Sequence, residues 1–389
     1  MKKLFFIVLL SGMLGFGFWW YFREPEFRDF GPLYREYAYV TNGKSNSVTV
    51  IDLRTFEPAK TIAVGLDPDA IAANSKKNEI YVANTGSNNI SVIDAETNRV
   101  VATIGVHALP YSIDVSEDGK WAYVANSASN NVSVIDLEKR VVAGNVRVGV
   151  SPGLARVSPD GTTVVVSNHG DGTVSLIDAS HLKVRSTIAA CEQPGDIAIL
   201  PDSSKAFVAC SGSAQVASVD LKSDKLLALL DVGKTPGNLA LKPDGGELIV
   251  CNFDSDSISI IETSTDDVGE SHLIGANPAR GLVTADNSRL YVTDSGANTV
   301  AIYDIDAGKT LPESPIPVGN KPEGLALSQS QKYLLVLDSE SADVTVIQKR
   351  VPRKKFEPGE YSLLTMIPVG LQPNNIVVKS FMLPKPRRQ

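Results

Sequence analysis

One unit of about 42 residues, repeated along nearly the whole chain, leaves few folds open to it. Asp52, Asp94, Asp136, Asp178, Asp220, Glu262 and Asp304 each close an apolar run, from VTVID at the first to VAIYD at the last, and stand 42 residues apart without exception. An eighth run, VTVIQ, ends at Gln348, 44 residues further on. A second marker keeps the same phase: Pro68, Pro110, Pro152, Pro194, Pro236 and Pro278 are 42 apart, and Pro322 and Pro373 follow at 44 and 51. The unit therefore occurs eight times.

Residues 69–106 show what a unit contains. The runs AIAAN, EIYVAN, NISVIDA and RVVATIG are separated by the polar turns SKKN, TGSN and ETN. Alternating β-branched residues bounded by Gly, Asn, Asp and Ser predict four short strands, and no helical periodicity of ten residues or more competes with them. A four-stranded repeat of this length is a propeller blade. One such sheet cannot cover both its faces, so blades stack radially until the ring closes. The expected fold is all-β: an eight-bladed β-propeller of four-stranded antiparallel blades. The phase of the ends predicts how it closes. The chain enters at YAYVTN (37–42), the second strand of a blade, and leaves at NNIVVKSF (374–381), a first strand. The C-terminal strand should therefore pair beside residues 36–42 and complete blade 1.

Composition adds limits. With 43% hydrophobic and 21% charged residues the chain has the means for a large core. A net charge of −7 argues against a body built to embrace phosphates. Cys191, Cys210 and Cys251 show no metal-binding spacing, and an odd number leaves at least one thiol unpaired, so all three read as small buried apolar residues. Residues 1–22 stand apart. Lys2 and Lys3 precede nineteen uncharged residues, Leu4 to Phe22, that end in an aromatic cluster. At 1.5 Å per residue that stretch approaches the ~30 Å of a bilayer core, longer than the apolar region of a cleaved signal, and predicts a retained transmembrane signal helix. Gly15 and Gly17 leave the alternative of a cleaved signal peptide and a secreted product. The expected organisation is an anchor or signal at 1–22, a linker at 23–35, the propeller at 36–381 with an insertion at 349–360, and a basic tail at 382–389. The body would face the periplasm or the cell surface.

YVTN at 39–42 and YVAN at 81–84 and 123–126 are each followed by an S/G-N-x-V/I-x-V-I-D pattern, and YVTD at 291–294 by the variant A-N-T-V-A-I-Y-D, all with V-G-x-x-P or a close variant later. In these motifs the sequence resembles the YVTN-type β-propeller repeat family of surface-layer and periplasmic proteins. The resemblance covers nearly everything after residue 35. It implies surface, adhesion or scaffold roles, nucleic-acid binding in some members, and no shared catalytic residue. Blade-level similarity reaches further, to the haem-binding domain of nitrite reductases, to lactonases and to quinoprotein heavy chains.

In a propeller the loops before the first strands and those between second and third strands meet on one rim. The first set offers Asp69, Tyr111, Asp196, Asn238, Arg280, Glu323 and Asn375 as tentative binding residues. Asp196, Asn238 and Arg280 share one position, two after the proline, in successive blades and should converge at the mouth. The second set includes Asn46, Asn88, Asn130, His169, Asp171, Asp254 and Asp256. Mixed-sign polar rings of this kind commonly do no more than solvate a mouth. His107 and His169 fall on this rim, His181 on the opposite one, and His272 begins an outermost strand, so no histidine cluster or haem axial pair is expected. Asn252, Asp254 and Asp256 have alternating oxygens but lack the rest of a calcium loop. No catalytic residue, metal or cofactor is expected.

The last unit departs from the rest. Lys349, Arg350, Arg353, Lys354 and Lys355 lie in an insertion, and residues 349–389 carry +7 while residues 1–348 carry −14. Such a patch suits anionic lipid headgroups or an acidic partner. These features together predict a non-catalytic binding or scaffold propeller tethered to the membrane, an accessory subunit of a membrane complex with a protein partner. The alternatives are a lactonase-like hydrolase or haem or quinone oxidoreductase, and nucleic-acid or anionic polymer binding.

Overall fold

The computed structural model describes residues 31–350 and 360–384, so the sequence-predicted anchor at 1–22 and residues 353–355 of the basic patch lie outside the described residues. Eight antiparallel sheets form the ring. Blades 2 to 8 each run in chain order from the axis outward, for example Pro68–Ala73, Glu79–Asn84, Asn89–Asp94 and Arg99–Gly105 in blade 2. Blade 1 is assembled from both ends of the chain. Its innermost strand is Pro373–Met382, paired with Tyr34–Asn42 in a register that runs from Tyr34 opposite Met382 to Thr41 opposite Asn375. The closure predicted from the sequence is the one observed.

The burial pattern follows from stacking. Second and third strands are buried on both faces because each blade lies between two others, whereas outermost strands alternate exposed and covered residues. Successive side chains of one strand thus serve different cores. Ala38 and Val40 pack with Leu335, Leu337 and Val346 of blade 8, while Tyr39 packs with Ile80, Val82 and Ile93 of blade 2. Eight such inter-blade clusters follow one another around the ring. Blade 7 departs in one respect. Its outermost strand is split into Lys309–Thr310 and Ile316–Pro317, which both pair Thr299–Asp304. Pro312 and Pro315 fall in the gap, where a residue without an N–H cannot continue the ladder.

The Asn of the YVTN motif has a structural task. Asn84, Asn126, Asn168 and Asn252 are fully buried and donate from Nδ2 to side-chain oxygens five and seven residues on, as Asn84 does to Asn89 and Ser91 at 2.8 and 2.9 Å. Above each sits the residue two after the end of the preceding blade's apolar run. Gly65, Gly149 and Gly233 occupy that place against Asn84, Asn168 and Asn252, where a Cβ would come within 2.6 Å of the Asn side chain as it stands, whereas the unit of Asn126 carries His107 there.

Blade 5 replaces this contact by a bond. Cys191 stands where six of the other units have glycine and one has His107, and Cys210 where five have Asn and two have Asp, and the two cysteines form a disulfide with Cα atoms 5.8 Å apart. The sequence-based reading of these two as unpaired apolar residues is therefore corrected, while Cys251 is free, fully buried and has its thiol pushed up to about 12 by that burial. A cross-link spanning 19 residues removes chain entropy from the unfolded state and contributes about 3 kcal/mol in the loop-entropy model. Restoring the common pair, Cys191→Gly with Cys210→Asn, should keep the fold but lower the melting temperature. The same melt with added reductant should lower the unmodified protein and leave the variant unmoved.

Candidate functional site

Most polar atoms on the proline rim hold one blade to the next. Asn46, Asn88, Asn130, Asp256 and Asn298 adopt left-handed backbone angles, which Asn and Asp tolerate better than most residues. Their side-chain oxygens accept the N–H of Asp67, Leu109, Ser151, Asn277 and Lys321 at 2.8–3.0 Å, each fixing a neighbouring proline loop. Asp254 accepts the hydroxyl of Thr235 at 2.5 Å, and Asp171 accepts the N–H of Val150 and the hydroxyl of Thr173. Among the described residues no group of three or more His, Cys, Asp and Glu side chains is placed to hold a metal ion.

At the axis the same device recurs on the innermost strands. These strands present one edge with no sheet partner, so their N–H groups need acceptors. Asp196 Oδ2 accepts from Leu239 N at 3.0 Å and from Asn238 Nδ2 at 2.7 Å, and Asn238 Oδ1 accepts from Gly281 N at 2.7 Å. Ser112 and Asp114 do the same for Ala155 and Val157. Each of these backbone links reaches 43 residues along the chain. The sequence reading that Asp196, Asn238 and Arg280 converge agrees with the geometry, since all three line one axial cavity of about 370 Å³. Two of them also stitch blades 5, 6 and 7 together.

Arg156 and Asn375 also line the cavity, as do Ile197, Leu239, Leu282 and Ile376, whose side chains pack mainly into inter-blade cores. Arg156 escaped the sequence reading because it lies four residues after its proline, not two. A comparison of that position across units, where Asp114 precedes it by 42, would have found it. Asn375 accepts the N–H of Ile376 at 3.0 Å.

The other candidates are dispersed. Asp69 accepts from Asn374 at 3.0 Å across the closure, and burial, with Asp67 nearby, raises its carboxyl above the ordinary range. Glu323 pairs with Lys321 at 3.3 Å on blade 8, and Tyr111 is exposed. His107 Nδ1 lies 2.6 Å from Asn131 Nδ2, His181 contacts Asp178 on the opposite rim, and His272 stacks on Tyr303. His272 is the next-to-last residue of Asp267–Leu273, not its first as the sequence suggested.

A family model described as YNCE-like beta-propeller matches residues 29–157 and 154–348. The chain belongs to this family. A YVTN-type repeat is consistent with it. No curated protein matches the chain. Among solved structures, hydrazine synthase of Kuenenia stuttgartiensis is 21% identical over 74% of this chain and 98% of that one, with a TM-score of 0.59. The dihydro-heme d1 dehydrogenase NirN is 13% identical over 88% and 74%, with a TM-score of 0.71. A functionally unknown protein from Desulfotomaculum acetoxidans is 15% identical over 73% and 97%, with a TM-score of 0.58. At these identities the likeness is one of fold.

This YNCE-like propeller has two unlike rims. On the proline rim, the loops leading into blades 1 to 4 expose Leu371, Leu66, Leu109, Tyr111 and Val150 by 62, 55, 43, 48 and 49%. The corresponding loops of blades 5 to 8 carry Glu192, Lys234, Asn277 and Lys321 instead. Exposed apolar residues thus form a crescent along half the rim, interspersed with Asp67, His107, Ser151 and Gln372. On the opposite rim, the turns between first and second strands carry Asp118, Asp160, Asp202, Asp244 and Asp286 in blades 3 to 7. The equivalent residues are Lys76 in blade 2 and Ser330 in blade 8. Between them, in blade 1, both chain ends leave side by side, with Leu383 N donating to Leu33 O at 2.9 Å. Lys349 and Arg350 open the blade 8 insertion on this rim, where Lys349 pairs with Glu360 at 3.5 Å.

Proposed function

We propose that this propeller is a non-catalytic, extracytoplasmic binding and scaffold module, tethered to the membrane by its N-terminal segment and presenting its proline rim to a protein partner of a membrane complex. The observation that carries the reading is convergence. The N-terminal strand begins, the C-terminal strand ends and the basic insertion starts on one rim of two adjacent blades. An anchor attached there turns blades 8, 1 and 2 toward anionic headgroups. Arg35, Arg54, Lys76, Lys77, Arg99, Lys332, Lys349 and Arg350 are among the basic residues of that sector, each contributing on the order of 1 kcal/mol when close to the surface. The opposite rim then faces away from the bilayer, and its crescent of five exposed apolar residues suits a complementary apolar ridge on a partner. The Cys191–Cys210 disulfide supports an oxidising compartment.

The full chain, expressed in its own membranes and solubilised in detergent, tests both halves. It should sediment with membranes after a high-salt wash and co-purify with a defined partner. Leu66→Asp with Leu371→Asp should release that partner without releasing the membrane. A chain found in the soluble fraction overturns the tether, and a partner retained by the double variant overturns the crescent.

A further inference from the structure

The axial cavity has a charge balance that the inter-blade stitching leaves unexplained. Its one carboxylate is spent: Asp196 Oδ1 accepts from Ile197 N at 2.9 Å, and Oδ2 from Asn238 Nδ2 and Leu239 N. Its two cations are not spent in the same way. Arg280 is held by its backbone N–H, which donates to Thr293 Oγ1 at 3.0 Å, while its guanidinium makes no hydrogen bond or ion pair among the described residues. Arg156 stands 3.5 Å from Asp114 Oδ1, a long contact to a carboxylate whose other oxygen is taken by Val157 N. Arg280 is thus the cavity's cation without a partner among the described residues, and Arg156 is held only by a long contact. Arg156 comes from blade 4 and Arg280 from blade 7, three steps apart in a ring of eight, so the two side chains enter from different sides. Ile197, Leu239, Leu282 and Ile376 also line the cavity, though they pack mainly into the inter-blade cores, together with Asn375.

We infer that this cavity binds a small organic dianion with a carboxylate at each end, one received by Arg280 and the other by Arg156. A guanidinium presents paired N–H donors that match a carboxylate in two parallel hydrogen bonds. A volume of about 370 Å³ is at the small end of ordinary ligand clefts and accommodates such a molecule. The inference is independent of the partner proposed for the rim.

Titration calorimetry of the purified full chain in detergent at low ionic strength tests it, with succinate and terephthalate as probes, succinamide as the uncharged counterpart and inorganic phosphate as a single compact anion. A dicarboxylate should bind one to one, weaken with salt and outcompete phosphate, and succinamide should not bind. Arg280→Gln and Arg156→Gln should each weaken the dicarboxylate at least tenfold, while Lys44→Gln, on the exposed rim, should leave it unchanged. Thermal melts of each variant establish that the ring is intact. No saturable binding of either dicarboxylate to the unmodified protein overturns the site. Binding that survives either arginine substitution, or phosphate binding as tight as that of the dicarboxylates, overturns the two-ended assignment.

Discussion

Deleting residues 375–389 is expected to convert the folded protein into aggregating material, not to produce a small local defect. Blade 1 would keep three strands, and Tyr34–Asn42 would lose the partner that pairs it over its whole length. Ile376 would leave the core shared with blade 8 and Phe381 the core shared with blade 2, where they are only 6 and 8% exposed. Each costs about 2–3 kcal/mol in lost burial. The Lys379 ammonium, which donates to Asn74 O and so ties blade 1 to blade 2, would go as well. Against a margin of roughly 5–15 kcal/mol for a folded domain these losses are severe. The uncovered edge is also a template for another chain. Size-exclusion chromatography and a thermal melt check it, and a truncated monomer with an unchanged melting temperature would refute closure by the C-terminal strand.

The second large effect concerns two acids in the place of the YVTN asparagine. Asp294 and Asp338 occupy that position in blades 7 and 8 and are fully buried. There an Asn amide would donate to its neighbours, but the carboxyls accept, from Thr299 at 3.2 Å and Thr345 at 2.6 Å. Burial raises the carboxyl of Asp294 to about 7. Burial also raises that of Asp338, with the adjoining Asp343 adding to the rise against the opposing Thr345 hydrogen bond. In the unfolded chain an Asp titrates near about 3.9, so between that pH and 7 the folded protein binds the extra protons. Stability is therefore full below about pH 4 and falls as pH rises through 7, the reverse of a salt-bridged carboxylate. Asp294→Asn with Asp338→Asn removes the loss. The double variant should gain on the order of 2–4 kcal/mol at pH 8 and little at pH 4.5. Denaturant melts at the two pH values test this, and an equal gain at both would show that charge burial is not the cause.

The ring was legible because its period is a property of the chain alone. Eight copies at near-constant spacing specify eight sheets, and the phase of Tyr37–Asn42 against 374–381 specifies which ends meet. What stayed hidden depended on edges. Asn46 and Asp196 read as rim polarity, yet their oxygens serve backbone N–H groups of the next blade, a need that appears only once strands face one another. The disulfide was visible in principle. Cys191 and Cys210 occupy the Gly and Asn places of their unit, but a search for metal or redox spacings looks at neighbours in sequence, not at equivalent positions in the repeat. Arg156 was missed because the axis is reached at two depths along each innermost strand, and only the upper one was considered.

Pairing the first strand with the last also orders events during synthesis. Until the final residues emerge from the ribosome, seven sheets stack without a seal and the waiting first strand stays open at its edge. The contact that finishes the molecule joins residues more than 300 positions apart, the slowest kind to find. At high concentration the tail of a neighbouring copy is an equally good key for that lock. Exchange of C-terminal strands between two chains is the misassembly this architecture invites, and dilute refolding is the condition that suppresses it.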